Sequence, residues 1–215
     1  WGGRGAVVTG GGGGMGEAFA AAYAREGAEV VFSSRKLDGC EAVARRINDA
    51  GGKATAIACH IGDMAALEAL VAEGQRRWGR RDGLVDYGHI LDTDLGAFQK
   101  TVDVNVRGYF FASILGGRMM RAGGGGSIIN VASVNAIRPG PKQGIYSVTK
   151  GAVLNMTRAF AAECGPDGIR VNAILPGLIR TKFAGALLAD AEQVEHYIGQ
   201  TPLRRTGEPQ DLAGA

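Results

Sequence analysis

The amino-acid sequence predicts an α/β fold, a doubly wound parallel sheet with helices on both faces, giving three α/β/α layers in a single domain over residues 1–215. Short apolar runs alternate with longer helical stretches, which is the pattern of a parallel sheet. A glycine-rich turn joins the first run to the first helical stretch, and no internal repeat or linker is visible. The strand-like runs lie near residues 6–9, 29–33, 54–58, 84–86, 127–132 and 170–175. The helical stretches lie near residues 15–27, 38–50, 64–78, 94–122, 146–165 and 182–199.

The glycine-rich turn is the clearest binding signal near the amino terminus. Its residues include Thr9, Gly10, Gly14, Met15 and Gly16. Glycines let the backbone turn tightly, approach a pyrophosphate and pack the helix on the strand, while the helix amino terminus offers N–H groups and a positive dipole to the anion. A glycine run alone is also typical of a flexible segment. Between a first strand and a first helix, it predicts a dinucleotide site in a Rossmann-like fold.

The end of the second strand bears on the choice of dinucleotide. The run 29–33 leads into Ser34, Arg35 and Lys36, at the place where an NAD site would have Asp or Glu for the ribose hydroxyls. Arg35 instead offers a guanidinium for a 2′-phosphate. The sequence therefore favours NADP(H), with NAD(H) possible. The alternative is that both cations are solvated residues at a strand exit.

Tyr146 and Lys150 are the strongest candidates for acid–base chemistry. They are four residues apart, so on a helix their side chains share one face, and an ammonium near a phenol favours the phenolate. Ser133 follows an apolar run that predicts a strand, which places its hydroxyl at the carboxyl end of a parallel sheet, where α/β proteins bind ligands. There it would hold a substrate oxygen against the phenol. A Tyr-Lys pair by itself is more often ordinary helix surface.

Together these stretches resemble the short-chain dehydrogenase/reductase family over almost the whole chain. The family's Thr-Gly-x-x-x-Gly-x-Gly turn is matched by residues 9–16, and its Tyr-x-x-x-Lys pair is matched by Tyr146 and Lys150. Ser133 falls at the family's catalytic serine. Asn105 resembles the helix asparagine that completes the catalytic set.

The resemblance also implies contacts to the nicotinamide end of the cofactor. Pro176 and Gly177 resemble the family's Pro-Gly pair after a strand, beside the nicotinamide. Ile179 and Thr181 would position the nicotinamide, with Thr181 at the residue that usually contacts the carboxamide. Lys150 would bond the nicotinamide ribose.

The implied activity is that of an NADP(H)-preferring oxidoreductase that interconverts a ketone or aldehyde and an alcohol by hydride transfer. Tyr146 would donate the proton to the carbonyl oxygen, with Lys150 favouring its phenolate. Ser133 would orient the substrate oxygen, and Asn105 would anchor a water that relays protons to Lys150. The segment 182–206 would form a mobile lid that shapes the substrate pocket.

The long helices predict an assembly of identical chains. The stretches 94–122 and 146–165 carry apolar residues on more than one face, which indicates burial against both the sheet and a partner. In the family these helices form a dimer interface within tetramers, so the resemblance implies a homodimer or homotetramer. The alternative is a helix pair that is simply well buried in its own domain.

Two other functions share part of this pattern. A 3-oxoacyl-carrier-protein reductase has the same catalytic set, and it would need a basic patch near the cleft, for which Arg204 and Arg205 are the candidates. The alternative from a different functional class is a protein that senses a dinucleotide and catalyses no reaction. The intact Ser133, Tyr146 and Lys150 speak against a sensor, because a sensor has no need to tune a phenol.

The sequence departs from the family at several places. Residues 86–89 replace the family's Asn-Asn-Ala-Gly, and the segment from there to Asn105 is shorter than usual. Gly12 and Gly13 stand where the family often has a serine and a basic residue, which removes one support for NADP(H). His60 stands where an adenine-contacting Asp is frequent, and in this respect the chain resembles the carbonyl-reductase branch.

Composition narrows the partners and the compartment. The formal net charge of +3, with dispersed Lys and Arg, argues against a nucleic-acid surface, and no apolar run reaches the roughly 18 residues of a membrane span. Three scattered cysteines are typical of reduced thiols and, with no membrane span in the sequence, predict a cytoplasmic protein. Three isolated histidines lack metal-ligand spacing, so no metal site is expected. The family resemblance implies a small-molecule substrate. Because residues 209–215 read as the opening of a helix, we expect the family's further strand and tail to lie beyond them.

Overall fold

The structure is a computed structural model that describes residues 5–34, 37–59, 63, 65–66, 69 and 90–214. The chain divides into two compact units, one formed by Trp1–Ala58 with Pro176–Ala215 and the other by Cys59–Leu175. Several sequence predictions concern residues outside the described ranges. They are the strand expected near 84–86, most of the helix expected near 64–78, and Arg35, Lys36, His60 and residues 86–89.

The first unit begins with three parallel strands in the order β1-β2-β3. The strands are β1 (Gly5–Thr9), β2 (Glu29–Ser34) and β3 (Lys53–Ala58), and the helices between them are α1 (Gly14–Arg25) and α2 (Leu37–Asp49). The middle strand is the core of this sheet, since Val30, Val31 and Phe32 are fully buried. Alternating strands and helices produce this parallel pairing, because each crossover helix carries the chain back to the end of the sheet where the previous strand began.

The second unit holds the long helices and two further parallel strands. Its helices are α3 (Leu95–Val102), α4 (Gly108–Ala122) and α5 (Gly144–Cys164), and its strands are β4 (Gly126–Val131) and β5 (Ile169–Ile174). A π-helical turn, Asp103–Arg107, joins α3 to α4 without a break in the chain direction. Tyr109, Ala132, Val153 and Met156 form a buried cluster where α4, α5 and the end of β4 meet.

The chain then returns to the first unit through short helical pieces. The stretch expected as one helix near 182–199 is divided into a 3₁₀ turn, Lys182–Ala184, and two helices, α6 (Gly185–Leu188) and α7 (Ala191–Gln200). The expectation of a single helix was wrong because Asp190 takes an extended conformation and its carboxylate accepts a hydrogen bond from the Gln193 N–H at 3.1 Å. An Asp in this role starts a new helix.

The stretch expected as one helix near 94–122 also departs from regular α geometry, at the π turn that contains Asn105. In the part of the chain that the structure describes, no helix has the length and apolar character needed to cross a membrane.

Candidate active site

Tyr146 and Lys150 lie one turn apart on α5, and both side chains are buried. The Lys150 Nζ atom is 5.7 Å from the centre of the Tyr146 ring. It donates a hydrogen bond to the Val131 carbonyl oxygen at 2.9 Å, which ties α5 to the last residue of β4. The four-residue spacing therefore brings a phenol and an ammonium together in a site shielded from water.

Ser133 lies two residues after the end of β4, and its backbone is extended. Its hydroxyl accepts a hydrogen bond from the Asn135 N–H at 3.2 Å, which starts a short 3₁₀ turn, Val134–Ala136. A hydroxyl has one proton to donate as well as lone pairs to accept. That proton can be directed at a substrate oxygen while the Asn135 contact holds the side chain in place.

A buried pair of amides links the serine turn to the start of α5. The Asn135 Nδ2 atom donates to the Gln143 Oε1 atom, and Gln143 is the residue before α5. The Gln143 carbonyl in turn accepts the Ser147 hydroxyl proton at 2.7 Å. These contacts fix the turn after Ser133 against the helix turn that carries Tyr146.

Asn105 is fully buried in the π-helical turn and contacts the Tyr-Lys helix. Its Nδ2 atom donates to the Thr149 Oγ1 atom at 3.0 Å, and the Thr149 hydroxyl donates to the Tyr146 carbonyl oxygen at 2.8 Å. Wider turns of this kind often occur at functional sites. The structure thus connects Asn105 by hydrogen bonds to the helix turn of α5 that carries Tyr146 and Lys150.

Tyr109 belongs to this arrangement and was missed by the sequence reasoning. It lies on α4, and the Lys150 Nζ atom is 3.4 Å from its hydroxyl oxygen and 5.0 Å from the centre of its ring. One signal was available, because Tyr109 follows Asn105 by four residues and so shares its helix face. Gln143 and Thr149 had no comparable signal, since their roles depend on contacts that only the fold creates.

The glycine turn lies in the first unit, between β1 and α1. The Gly11 N–H donates to the Ser33 carbonyl at 3.0 Å, which fixes the turn to the end of β2. A Cβ atom added at Gly16 would lie 2.5 Å from the Gly10 carbonyl oxygen, so only glycine lets α1 pack this closely. Gly14 has a φ of 58° and lies against Thr181, which brings a predicted phosphate-side residue and a predicted nicotinamide-side residue together.

The turn has the features of an anion cradle. Gly13 precedes α1 and offers no side chain to cap its first N–H groups, which leaves them for an anion. Among the described residues, the buried Thr9 hydroxyl has no hydrogen-bond partner. An orphaned hydroxyl at the end of β1 and an uncapped helix start after the glycine turn fit a dinucleotide phosphate group, so the residues present suit the cofactor.

Ser34 and Arg35 are the residues predicted to lie on the adenosine side of the cofactor, and the structure describes the first of them. Ser34 lies half-buried at the end of β2. A Cβ atom at Gly12 would lie 3.0 Å from the Ser34 Oγ atom and 3.4 Å from the Cys40 Sγ atom, so a side chain at residue 12 would crowd both. Burial raises the pKa of the Cys40 thiol, although hydrogen bonding with Ser34 opposes this shift. Cys40 therefore stays a neutral thiol near pH 7.

The predicted nicotinamide-side residues follow β5 in the returning segment. Pro176 is buried and Gly177 is exposed. Ile179 is buried and pairs with Gly207, and the Arg180 N–H donates to the Gly207 carbonyl at 2.8 Å. The Thr181 hydroxyl accepts a hydrogen bond from the Ala184 N–H at 3.2 Å, and a hydroxyl in this role can still donate its own proton.

Comparison with known proteins decides the family. The model described as "Enoyl-(Acyl carrier protein) reductase" matches residues 10–215. Human dehydrogenase/reductase SDR family member 4 is 36% identical over 216 residues, which cover 97% of this chain and 78% of that protein. This chain belongs to the short-chain dehydrogenase/reductase family. It is an NAD(P)-dependent oxidoreductase acting between alcohols and carbonyl compounds.

Two further relatives of this short-chain dehydrogenase/reductase add detail. L-rhamnose 1-dehydrogenase (NAD(P)(+)) of Azotobacter vinelandii is 38% identical over 219 residues, covering 97% of this chain and 86% of that protein. The crystal structure of a gluconate 5-dehydrogenase from Burkholderia cenocepacia in complex with NADP and tartrate matches with a TM-score of 0.91 at 30% identity, covering 100% of this chain and 86% of that chain. The predicted Rossmann-like α/β fold is confirmed.

Proposed function

We propose that this chain is an NADP(H)-preferring reductase and dehydrogenase in which Tyr146 transfers the proton between the protein and the substrate oxygen. The observation that carries the proposal is the buried Tyr146 and Lys150 pair, with the ammonium 5.7 Å from the phenol ring. An ammonium held this close stabilises the phenolate, which lets a phenol exchange a proton reversibly near neutral pH.

The proposed mechanism needs one proton and one hydride for each carbonyl group reduced. A bound nicotinamide cofactor supplies the hydride. Tyr146 donates its phenolic proton to the carbonyl oxygen, and the Ser133 hydroxyl donates a hydrogen bond to the same oxygen. Lys150 stabilises the phenolate that remains. In the oxidation direction Tyr146 takes the proton back from the alcohol.

Asn105 is proposed to support proton return to Lys150. Its side chain is fixed by the bond to Thr149, at the turn of α5 that lies between Tyr146 and Lys150. The family resemblance assigns to this asparagine a water that relays protons to the lysine. A fixed, buried amide is suited to that task, because a mobile one would lose the water's position.

The most specific part of the proposal is the preference for NADP(H) over NAD(H). Its support is Arg35 after β2 with no acidic residue beside it, together with Ser34 at the end of the strand. A guanidinium binds a phosphate through paired hydrogen bonds. The Burkholderia gluconate 5-dehydrogenase was crystallised with NADP, and the Azotobacter relative is named for both cofactors.

The substrate class is best tested with a panel read against NADPH and NADH. The panel contains simple ketones and aldehydes, aldoses and aldonates, and 3-oxoacyl and enoyl thioesters. The aldoses, aldonates and enoyl thioesters are included because matching proteins are named for rhamnose, gluconate and an enoyl carrier-protein substrate. We expect turnover of a ketone, an aldehyde or a secondary alcohol. Reduction of the enoyl thioester alone would contradict the proposal, and binding of the dinucleotide without turnover of any compound would favour the sensor.

We also propose that the second unit forms a homo-oligomer through its long helices. Both α3 and α4 pack on α5. Large apolar side chains remain exposed on all three helices, at Leu95, Phe98, Phe110, Phe111 and Val148. A monomer rarely exposes so many on neighbouring helices, whereas an interface would bury them.

Light scattering after size exclusion tests the assembly. We expect Phe111→Glu to reduce the mass to that of a smaller species, because a carboxylate cannot be buried in an apolar interface without a partner. Leu203→Glu is the matched control, since Leu203 is also exposed but lies in the other unit. A parent chain that is monomeric, or an unchanged mass for Phe111→Glu, would contradict this part of the proposal.

The segment 182–206 is proposed to be the substrate lid.

A further inference from the structure

Three groups in the second unit form a closed hydrogen-bonded triangle around the ammonium of Lys150. The Tyr109 hydroxyl donates to the Val131 carbonyl oxygen at 3.1 Å. The Lys150 Nζ atom donates to the same carbonyl at 2.9 Å and to the Tyr109 hydroxyl oxygen at 3.4 Å. The exposed fractions of Tyr109 and Lys150 are only 3% and 2%.

The donors and acceptors of this triangle are mutually consistent. A carbonyl oxygen has two lone pairs and can accept from both Tyr109 and Lys150. Because the Tyr109 proton is used on Val131, the hydroxyl oxygen presents its lone pairs to the ammonium. An ammonium has three donors, and two of them are directed at Val131 and Tyr109.

Two features of Tyr109 favour a charged lysine. Its oxygen accepts a hydrogen bond from the ammonium, and its ring lies 5.0 Å from the Nζ atom, within the range of a cation–π interaction. A buried ammonium is costly unless such groups compensate it, and a lysine stem has many rotamers unless neighbours select one. Tyr109 therefore addresses both the charge and the direction of this side chain.

We propose that the Tyr109 hydroxyl is a positioning group that holds the Lys150 ammonium in the direction needed by Tyr146 and by the cofactor. This inference rests on the proposed role of Lys150. Tyr109 does not touch the reacting atoms and acts through the lysine. In its absence, the ammonium would keep the Val131 contact but would sample more directions, so fewer molecules would have it aimed correctly.

Tyr109→Phe tests the proposal without removing the packing. The ring sits in the buried cluster with Ala132, Val153 and Met156, so phenylalanine keeps the core filled and keeps the ring near the ammonium. We expect roughly a tenfold loss in kcat and a several-fold rise in the cofactor Kd, the scale of one hydrogen bond to a charged group. Cofactor Kd is measured by nucleotide fluorescence, and Tm is measured on the cofactor-free protein.

Ser113→Ala is the matched control. Its buried hydroxyl lies one turn further along α4 and donates to the Tyr109 backbone carbonyl at 2.8 Å. We expect it to leave kcat and cofactor Kd near the parent values. Equal losses in both variants would mean that any missing hydroxyl in α4 has this effect, and the positioning role would be overturned.

A double-mutant cycle with Lys150→Ala separates this inference from the proposed function. We expect Tyr109→Phe to add little further loss once Lys150 is gone, because the hydroxyl acts only through the lysine. If Lys150→Ala alone leaves kcat and Kd unchanged, the role of the lysine itself is wrong. If Lys150→Ala is damaging while Tyr109→Phe matches the parent, or adds its full loss in both backgrounds, only the role of Tyr109 is wrong.

Discussion

The candidate catalytic region in Cys59–Leu175 and the glycine turn in the other unit are built in opposite ways. The candidate catalytic region consists of buried side chains held by hydrogen bonds, such as Asn105 to the Thr149 hydroxyl and Lys150 to the Val131 carbonyl. The glycine turn consists of backbone, with Gly16 so close to Gly10 that no side chain fits. Removing atoms should therefore damage the first region, and adding atoms should damage the second.

The largest effect is expected where one atom is removed from the catalytic region. Tyr146→Phe deletes the proton donor and keeps the ring, so turnover should fall by roughly a hundred- to ten-thousandfold, the usual value of acid–base catalysis. Cofactor Kd should stay within a few fold, because the phosphate cradle is untouched. Steady-state kinetics and fluorescence titration measure the two quantities.

Tyr23→Phe is the control for losing a tyrosine hydroxyl elsewhere. Tyr23 lies on α1, in the unit that carries the glycine turn. We expect it to keep parental kcat. If Tyr146→Phe retained more than about a tenth of the activity, the assignment of this residue as the acid and base would fail.

The next largest effect is expected from adding one atom to the glycine turn. A Gly→Ala change in a helix normally stabilises by about 0.5–1 kcal/mol. Gly16→Ala should instead destabilise the fold, because its Cβ would lie 2.5 Å from the Gly10 carbonyl oxygen. Forcing the backbone apart should cost about 1–3 kcal/mol of the free energy of unfolding. Cofactor affinity should fall with it. Gly199→Ala, in the exposed part of α7 with open space around it, should show the usual stabilisation.

Thermal unfolding and cofactor titration of the two glycine variants measure this contrast. Equal Tm shifts for Gly16→Ala and Gly199→Ala would show that the close approach in the turn carries no energetic constraint. A lower Tm for Gly16→Ala with unchanged cofactor Kd would show that the turn is needed for folding but not for the anion.

The contrast also explains how much could be predicted from sequence. Strands such as β2 and helices such as α5 were located to within one or two residues, because apolar alternation and glycine turns are local signals. The π turn at Asp103–Arg107 was not predicted, since its sequence has no helix breaker and its Asn105 contact depends on Thr149, far along the chain.

The same limit applies to the candidate site. Tyr146, Lys150 and Ser133 could be proposed because their spacing and strand context carry the chemistry. Tyr109 was missed because its contact with Lys150 joins two helices that only the tertiary fold brings together. A motif identifies the groups that react, whereas the groups that orient them come from packing.

A smaller effect is expected at the cofactor's adenosine side, where side chains rather than backbone would select the ligand. Ser34→Asp with Arg35→Ile supplies a carboxylate for the ribose hydroxyls and removes the phosphate's partner. The ratio of kcat/KM for NADPH and NADH should change by roughly ten- to a hundredfold in favour of NADH, the value of about 1.5–3 kcal/mol for a charge-assisted bond. Arg25→Ile removes a cation from the end of α1 and should leave the ratio unchanged. A parent that already prefers NADH would show that Arg35 is only a surface charge.

The smallest effect is expected at an exposed ion pair in the same unit as the glycine turn. Arg205 donates two hydrogen bonds to the Asp211 carboxylate, at 2.7 Å and 3.0 Å, and the Glu208 N–H donates a third at 2.7 Å. The Arg205 hydrogen bond is the main cause that lowers the pKa of Asp211 to about 2. Because the folded pKa is depressed, the stabilising contribution is complete above the ordinary carboxyl pKa of about 4 and is lost as the pH falls toward 2.

Asp211→Asn should therefore lower Tm slightly at pH 6, and the difference from the parent should vanish as both are acidified through about pH 2. Added salt should also reduce the difference at pH 6, since both side chains are exposed to solvent and their attraction is screened. Asp49→Asn, at an exposed carboxylate at the end of α2, is the control for the loss of a surface carboxylate. Thermal unfolding at several pH values measures the effect. A Tm difference that persists at pH 2 would mean that Asp211 acts through the shape of the 3₁₀ turn Pro209–Leu212, and not through its charge.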